Sequence, residues 1–241
     1  MIKFGQCFVI ASALKLFLFV NLNQKKHMLV KEALETIGGL SNPSKMPCKG
    51  YSIPAQRCNV GSKLRTVKGS VCDKCYALKG MYVFNNVKNA LELRYQKLNY
   101  ALNTDTKQFR EAFKVLLRKQ SFFRWHDSGD LINSKHLSFI VDVAKDNPGV
   151  KFWLPTRESK TVSEYVKTGK FPKNLNVRLS AMKINGKASE KLARNAGATV
   201  SGVHSKLTEY LECPAYKQNN ECRDCRACWN RKTFAVSYRV H

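Results

Sequence analysis

Acidic side chains are scarce in this chain. Only 17 Asp and Glu stand against 42 Lys and Arg, which leaves a net charge of +25. That imbalance exceeds what solubility needs and points to a polyanionic partner, nucleic acid first, with a merely solvated basic surface as the plainer reading. The chain also lacks an unbroken apolar run of membrane length. From Cys7 to Leu22 it is apolar except for Ser12, Lys15 and Asn21, short and interrupted for a span of roughly twenty residues. No small-residue cleavage site precedes Gln24-Lys25-Lys26-His27, so residues 1–28 read as a weak anchor or a start-site artefact, with Met28 as the alternative start. Apart from this leader, a membrane role is not expected. Internal repeats, low-complexity tracts, a Gly-rich phosphate loop, a Ser-His-Asp arrangement and a His-Glu-x-x-His helix are all missing, which removes the solenoid, P-loop, serine-hydrolase and zinc-protease classes.

Cysteine, by contrast, is plentiful. Cys58, Cys72 and Cys75 form one group; Cys213, Cys222, Cys225 and Cys228 form another, with a thiol every third residue at the end. A chain of 241 residues can fold without disulfide staples, and the spacings favour metal ligation in a reducing compartment, here the cytoplasm. Thiolates so spaced wrap a polynuclear centre more naturally than a single ion, so an iron–sulfur centre, one or two [4Fe–4S] clusters, is the first expectation. Zinc is the alternative at the C-terminal group. Cys7 and Cys48 stand apart; Cys48 is either a spare thiol or a fourth ligand beside Cys58, Cys72 and Cys75. Three protein ligands leave one iron open for chemistry, whereas four close the cluster. Between residues 41 and 120, sixteen basic side chains face four acidic ones, so the positive charge gathers around the first cysteine group.

Hydrophobic periodicity predicts an α/β fold over residues 29–241, one domain that includes an N-terminal cysteine loop (45–80) and a C-terminal cysteine cluster (205–232). Val87, Leu91, Tyr95, Leu98 and Leu102 form a helical stripe. Asp105 with Gln108 opens a second helix carrying Phe109, Phe113, Leu116 and Leu117. Strands are expected at Phe122–His126, Val150–Leu154, Asn176–Ser180, Ala198–Val203 and Phe234–Tyr238, and helices at Ser134 to Ala144, Ser159 to Thr168 and around Leu192. Such alternation implies a parallel sheet, best a full or partial (β/α) barrel, otherwise an open doubly wound sheet.

Polar groups fall at the expected carboxyl ends of these strands: His126-Asp127-Ser128-Gly129-Asp130, then Thr156-Arg157-Glu158, then Ser180 and Lys183, then His204-Ser205. Each alone also reads as turn or cap chemistry. His126 reads as an acid, a base or a backbone-bonded structural histidine, and His136, in a first helical turn, as exposed. Arg226 and Trp229 lie beside the last cysteines, the tryptophan as a buried shield or a stacking platform.

The segments Ser52-Ile53-Pro54-Ala55 to Cys58, Gly69-Ser70-Val71-Cys72-Asp73-Lys74-Cys75-Tyr76-Ala77, Phe123-Arg124-Trp125-His126-Asp127-Ser128-Gly129-Asp130, Phe152-Trp153-Leu154-Pro155-Thr156-Arg157-Glu158 and Cys213-Pro214 to Trp229 together resemble the phage-encoded gene product 88 family, over about Lys45 to His241. More distantly, that pattern is similar to radical S-adenosylmethionine enzymes. It departs from their usual spacing, because thirteen residues separate Cys58 from Cys72, an insertion whose loop-closure cost grows only logarithmically. The resemblance implies a cluster on Cys58, Cys72 and Cys75 that cleaves S-adenosylmethionine with the help of an electron donor, and a radical that abstracts hydrogen from a nucleic acid or nucleotide. It makes Asp127, Ser128, Gly129 and Asp130 candidates for the amino group of that cofactor. Thr156 and Arg157 become candidates for its carboxylate or a substrate phosphate. A non-catalytic, metal-stabilised nucleic-acid-binding phage protein is the competing expectation, in either case in the cytoplasm of an infected host.

Overall fold

The computed structural model describes residues 28–240; the leader expectation for residues 1–28 lies outside them but for Met28. The elements run α1 (Val30–Ile37), β1 (Gly50–Tyr51), α2 (Asn59–Leu64), α3 (Asn85–Asn103), α4 (Lys107–Leu117), β2 (Phe122–Trp125), α5 (Ser134–Asp146), β3 (Lys151–Thr156), α6 (Ser159–Tyr165), β4 (Leu175–Ser180), α7 (Glu190–Ala196), β5 (Thr199–His204), β6 (Leu211–Glu212) and β7 (Ala235–Arg239). Local chemistry sets their ends. Asn133 caps α5 by accepting from His136 N at 3.0 Å, one residue before the expected Ser134. Asp105 takes Lys107 N at 2.9 Å ahead of α4, without a reciprocal bond from Gln108 among the described residues. Gly197 closes α7 in the left-handed region at φ 62, where a side chain would be strained.

All seven strands are parallel and lie in the order β1-β2-β3-β4-β5-β7-β6. From β1 to β5 the order follows the chain, so the reversal of a doubly wound sheet does not occur there. Closure into a full barrel is not formed either: β1 and β6 are the two edges, with no bonding between them among the described residues.

Strand periodicity of two separates the faces of this sheet. On one face Phe123, Trp125, Phe152, Leu154, Leu175, Val177, Leu179 and Val200 pack with the helices, among them Phe113, Leu137 and Ile140. The opposite face carries Trp153 together with Arg124, Asn176, Arg178, Thr199 and Ser201, polar side chains that a globular core would normally exclude. It is covered by the C-terminal segment, through a smaller cluster of Cys48, Trp153, Cys228 and Trp229. Arg178, fully buried, fixes that cover by donating to the carbonyls of Val200, Phe234, Ala227 and Thr233 at 2.6, 3.3, 3.2 and 3.1 Å. No helix of the described residues is long and apolar enough to cross a membrane.

Candidate functional site

The loops leaving β1, β2, β3 and β4 meet at the first cysteine group. Behind β1, Ile53 N reaches Ser128 O at 3.2 Å, and Gly129, at φ +81, is so close that a Cβ there would stand 2.4 Å from Ile53 Cγ1. Asn59, next to Cys58, donates to Ile132 O at 3.0 Å. Val60 N donates to Glu158 Oε1 at 2.9 Å. On the other side, Val71 N bonds Met182 O at 2.9 Å and Ile184 N bonds Gly69 O at 3.0 Å, so the loop bearing Cys72 is laced to the segment after β4. Backbone groups that must be satisfied thus tie one thiol loop to four strand ends.

Gly61 shows how close the thiols stand. A methyl group there would lie 3.6 Å from Cys58 Sγ and 3.7 Å from Cys72 Sγ. Burial pushes the Cys58 thiol up to about 12, with the charges of Asp130, Cys75 and Cys72 adding to the rise. Burial raises Cys72 too, and the Arg157 guanidinium opposes it. Desolvated thiols grouped this way resist ionisation unless a cation joins them.

Of the six candidate cofactor residues, three are joined. Thr156 Oγ1 donates to Asp130 Oδ1 at 2.6 Å and Arg157 N donates to Asp130 Oδ2 at 2.9 Å. Leu131 N completes the Oδ1 shell at 2.8 Å, which leaves Oδ2 one lone pair. Ser128 keeps a buried hydroxyl with no partner. Asp127 turns elsewhere: its Oδ2 accepts from Tyr82 Oη at 3.0 Å and its carbonyl from Tyr76 Oη. Tyr76 itself is half exposed.

His136 corrects the sequence reading. It is fully buried rather than exposed, with Nδ1 accepting from Ile132 N at 3.3 Å and its ring 5.2 Å from that of His126. Burial lowers both: His136 to about 3, His126 well below its ordinary value. Both ring nitrogens of His126 lack a partner, and its backbone is left-handed at φ 55, a strained state for a non-glycine residue. The backbone-bonded histidine is therefore His136, not His126.

Cys48 stands with the second cysteine group, which removes it as a fourth ligand for the first. It packs with Cys228, Trp153 and Trp229 and feels the charges of Arg124, Cys222 and Arg226; burial raises its thiol to about 12. Cys228, raised to about 11 by burial, lies 3.2 Å from Tyr238 Oη. Two arginines that sequence reasoning passed over, half-buried Arg124 and fully buried Arg178, face these thiols. Arg124 lies over the Trp153 ring at 4.5 Å, and its charge acts on Cys48, Cys222 and Cys228, while that of Arg178 acts on Cys228. Neither has an ion pair among the described residues. A charged residue at an inward position of Phe122-Phe123-Arg124-Trp125 was the available signal. All described cysteines are free. Among the described residues no three His, Cys, Asp or Glu side chains converge on one point as they would around a metal ion, so neither the expected cluster site on Cys58, Cys72 and Cys75 nor the expected C-terminal metal-binding segment is established by its geometry. The donor set still suits an anionic thiolate centre, because thiols without disulfides feel the positive charges of Arg124 and Arg178.

Fold and site together define a parallel α/β protein with thiols grouped at the carboxyl ends of its strands and again beneath a C-terminal cover. A family model described as Gene product 88 matches residues 19–231, most of the chain, and the protein belongs to that phage gene-product family. No curated protein and no solved structure matches it.

Proposed function

We propose that this chain is an iron–sulfur enzyme of the radical S-adenosylmethionine kind, acting on a nucleic acid or nucleotide. The observation that carries the reading is the convergence of the loops after β1, β2, β3 and β4 on Cys58, Cys72 and Cys75, with Asp130, Thr156 and Arg157 alongside. The run of strands β1 to β5 in chain order supports a partial β/α barrel as the frame. Cys58, Cys72 and Cys75 would hold a [4Fe–4S] cluster by three thiolates and leave one iron position unclaimed by protein. When bound and reduced by an electron donor, such a cluster supplies an electron that cleaves the sulfonium of S-adenosylmethionine and so starts hydrogen abstraction.

The chain's own residues bind and orient. Asp130 Oδ2 offers its remaining lone pair to an amino group, and Arg157 offers its guanidinium fork to a carboxylate or phosphate. Thr156 is spent on Asp130 and on Glu158 N, which it accepts at 3.0 Å, so it positions rather than contacts. Cys213, Cys222, Cys225 and Cys228 would hold an auxiliary cluster, or zinc, with Arg124 and Arg178 balancing its negative charge. The excess of basic side chains supports a nucleic-acid partner.

Anaerobic reconstitution tests this reading. The wild type should carry about eight irons per chain if both groups hold clusters and should cleave S-adenosylmethionine, while Cys72→Ala should do neither fully. A Cys72→Ala protein that kept its iron and its cleavage activity would overturn the mechanism. Stoichiometric zinc with no iron would favour the second reading, a non-catalytic nucleic-acid-binding module, for which the basic charge alone speaks. Nucleic-acid affinity should fall steeply with salt in either case.

A further inference from the structure

A cleft of about 270 Å³ opens beside Arg157, lined by Thr156, Ser159, Ser180 and Ser189 with Lys183 and Lys187. No Asp or Glu borders it. The Arg157 guanidinium spends its Nε on Ala181 O at 3.3 Å, and neither its terminal nitrogens nor the two lysines have an ion-pair partner among the described residues. The wall bearing Lys183 is held from both sides: Ser70 bridges Lys183, and Asn185 N reaches Val203 O on β5 at 2.8 Å. The same ladder carries Cys72 two residues beyond Ser70, so the cleft and the first thiol group share a wall.

We propose that this cleft seats the phosphate of the substrate: a phosphate monoester on a nucleoside is held by Arg157, Lys183 and Lys187, with the nucleoside directed toward Cys58, Cys72 and Cys75. Naming it a substrate rests on the enzyme reading above; the binding itself does not. A carboxylate carries one charge and is satisfied by the Arg157 fork alone. Three cations with the hydroxyls of Ser159 and Ser189 instead match a group with close to two negative charges and three acceptor oxygens.

Equilibrium titrations of the full chain with ribonucleoside monophosphates and with the matching nucleosides test the assignment. At least one monophosphate is expected to bind about tenfold or more tightly than its nucleoside, the value of one charge-assisted contact. The double variant Lys183→Ala/Lys187→Ala should lose that preference with iron content and thermal midpoint unchanged. Equal affinity for nucleoside and monophosphate would overturn the proposal, as would a double variant that keeps the preference. Displacement by an oligonucleotide without a terminal phosphate, as effective as by the monophosphate, would assign the cations to a backbone track and also overturn it. Because iron is counted on the same samples, a phosphate preference in protein that takes up no iron on anaerobic reconstitution would sink the cluster reading while sustaining the cleft.

Discussion

Thr156 donates its hydroxyl to Asp130 across 2.6 Å, and this bond locks the end of β3 to the loop after β2 directly below the first thiol group. Both residues are buried, so nothing in solvent replaces a lost partner. Thr156→Val keeps the shape and removes the donor, leaving the Asp130 carboxylate and Glu158 N each one partner short. A destabilisation of about 1–3 kcal/mol is expected, the ordinary cost of an orphaned buried polar group. Thr156→Ser should retain most of the stability. Urea unfolding of the two variants checks this, and equal stability would remove the brace from the account.

Gly129 offers a second test of the same junction. Its φ is +81, and a methyl group added there would stand only 2.6 Å from Ile53 O, so no side chain fits without moving the backbone that leads to Cys58. Gly129→Ala should cost more than about 2 kcal/mol, since strain in the left-handed region adds to overpacking. It should also lower iron uptake by the first group, read by absorption after reconstitution. A variant with wild-type stability and iron would mean that the two loops pack more loosely than their contact implies.

Acid sensitivity follows from the buried histidine pair. An unfolded chain binds a proton on His136 near its ordinary value of 6.5, whereas the folded chain holds it neutral down to about 3. Between these values the unfolded state takes up more protons, so stability is full above about pH 6.5 and is lost as the pH falls toward 3. His126, in ring contact, shifts the same way. His136→Asn keeps an acceptor for Ile132 N and removes one titration. Its denaturation midpoint should therefore fall less steeply across this range than the wild type's; an identical slope would clear His136 of any part in it.

The strand and helix pattern was legible because each long element carries its own period. The stripe from Val87 to Leu102 became α3, and the strand read at Phe122 became β2. β1 and β6, two residues each, are too short to show alternation; only their neighbours in the sheet make them strands. His136 was misjudged by polarity, although its spacing to Ile140, Val143 and Ala144 already placed it on the buried side of α5. Sequence order also assigned the four C-terminal cysteines to one group, but it gave no means of seeing that Cys48, so far upstream, folds against them. That juxtaposition depends on β3 presenting Trp153 to both segments.

The partition of the thiols can be measured by coupling. Cys48 is charge-coupled to Cys222 and packs with Cys228, whereas Cys72 is coupled to Cys75. Substitutions within one centre remove the same metal twice, while substitutions in separate centres add. Cys48→Ser and Cys222→Ser should therefore each lower the metal load of the second group, and their combination should lower it little further. Cys48→Ser joined to Cys72→Ser should deplete both groups, leaving a chain with less metal than either parent. Metal analysis per chain, with Mössbauer or zinc quantitation to name the ion, reads these outcomes directly. Full additivity of Cys48→Ser with Cys222→Ser would separate Cys48 from the second group and make it the spare thiol of the chain.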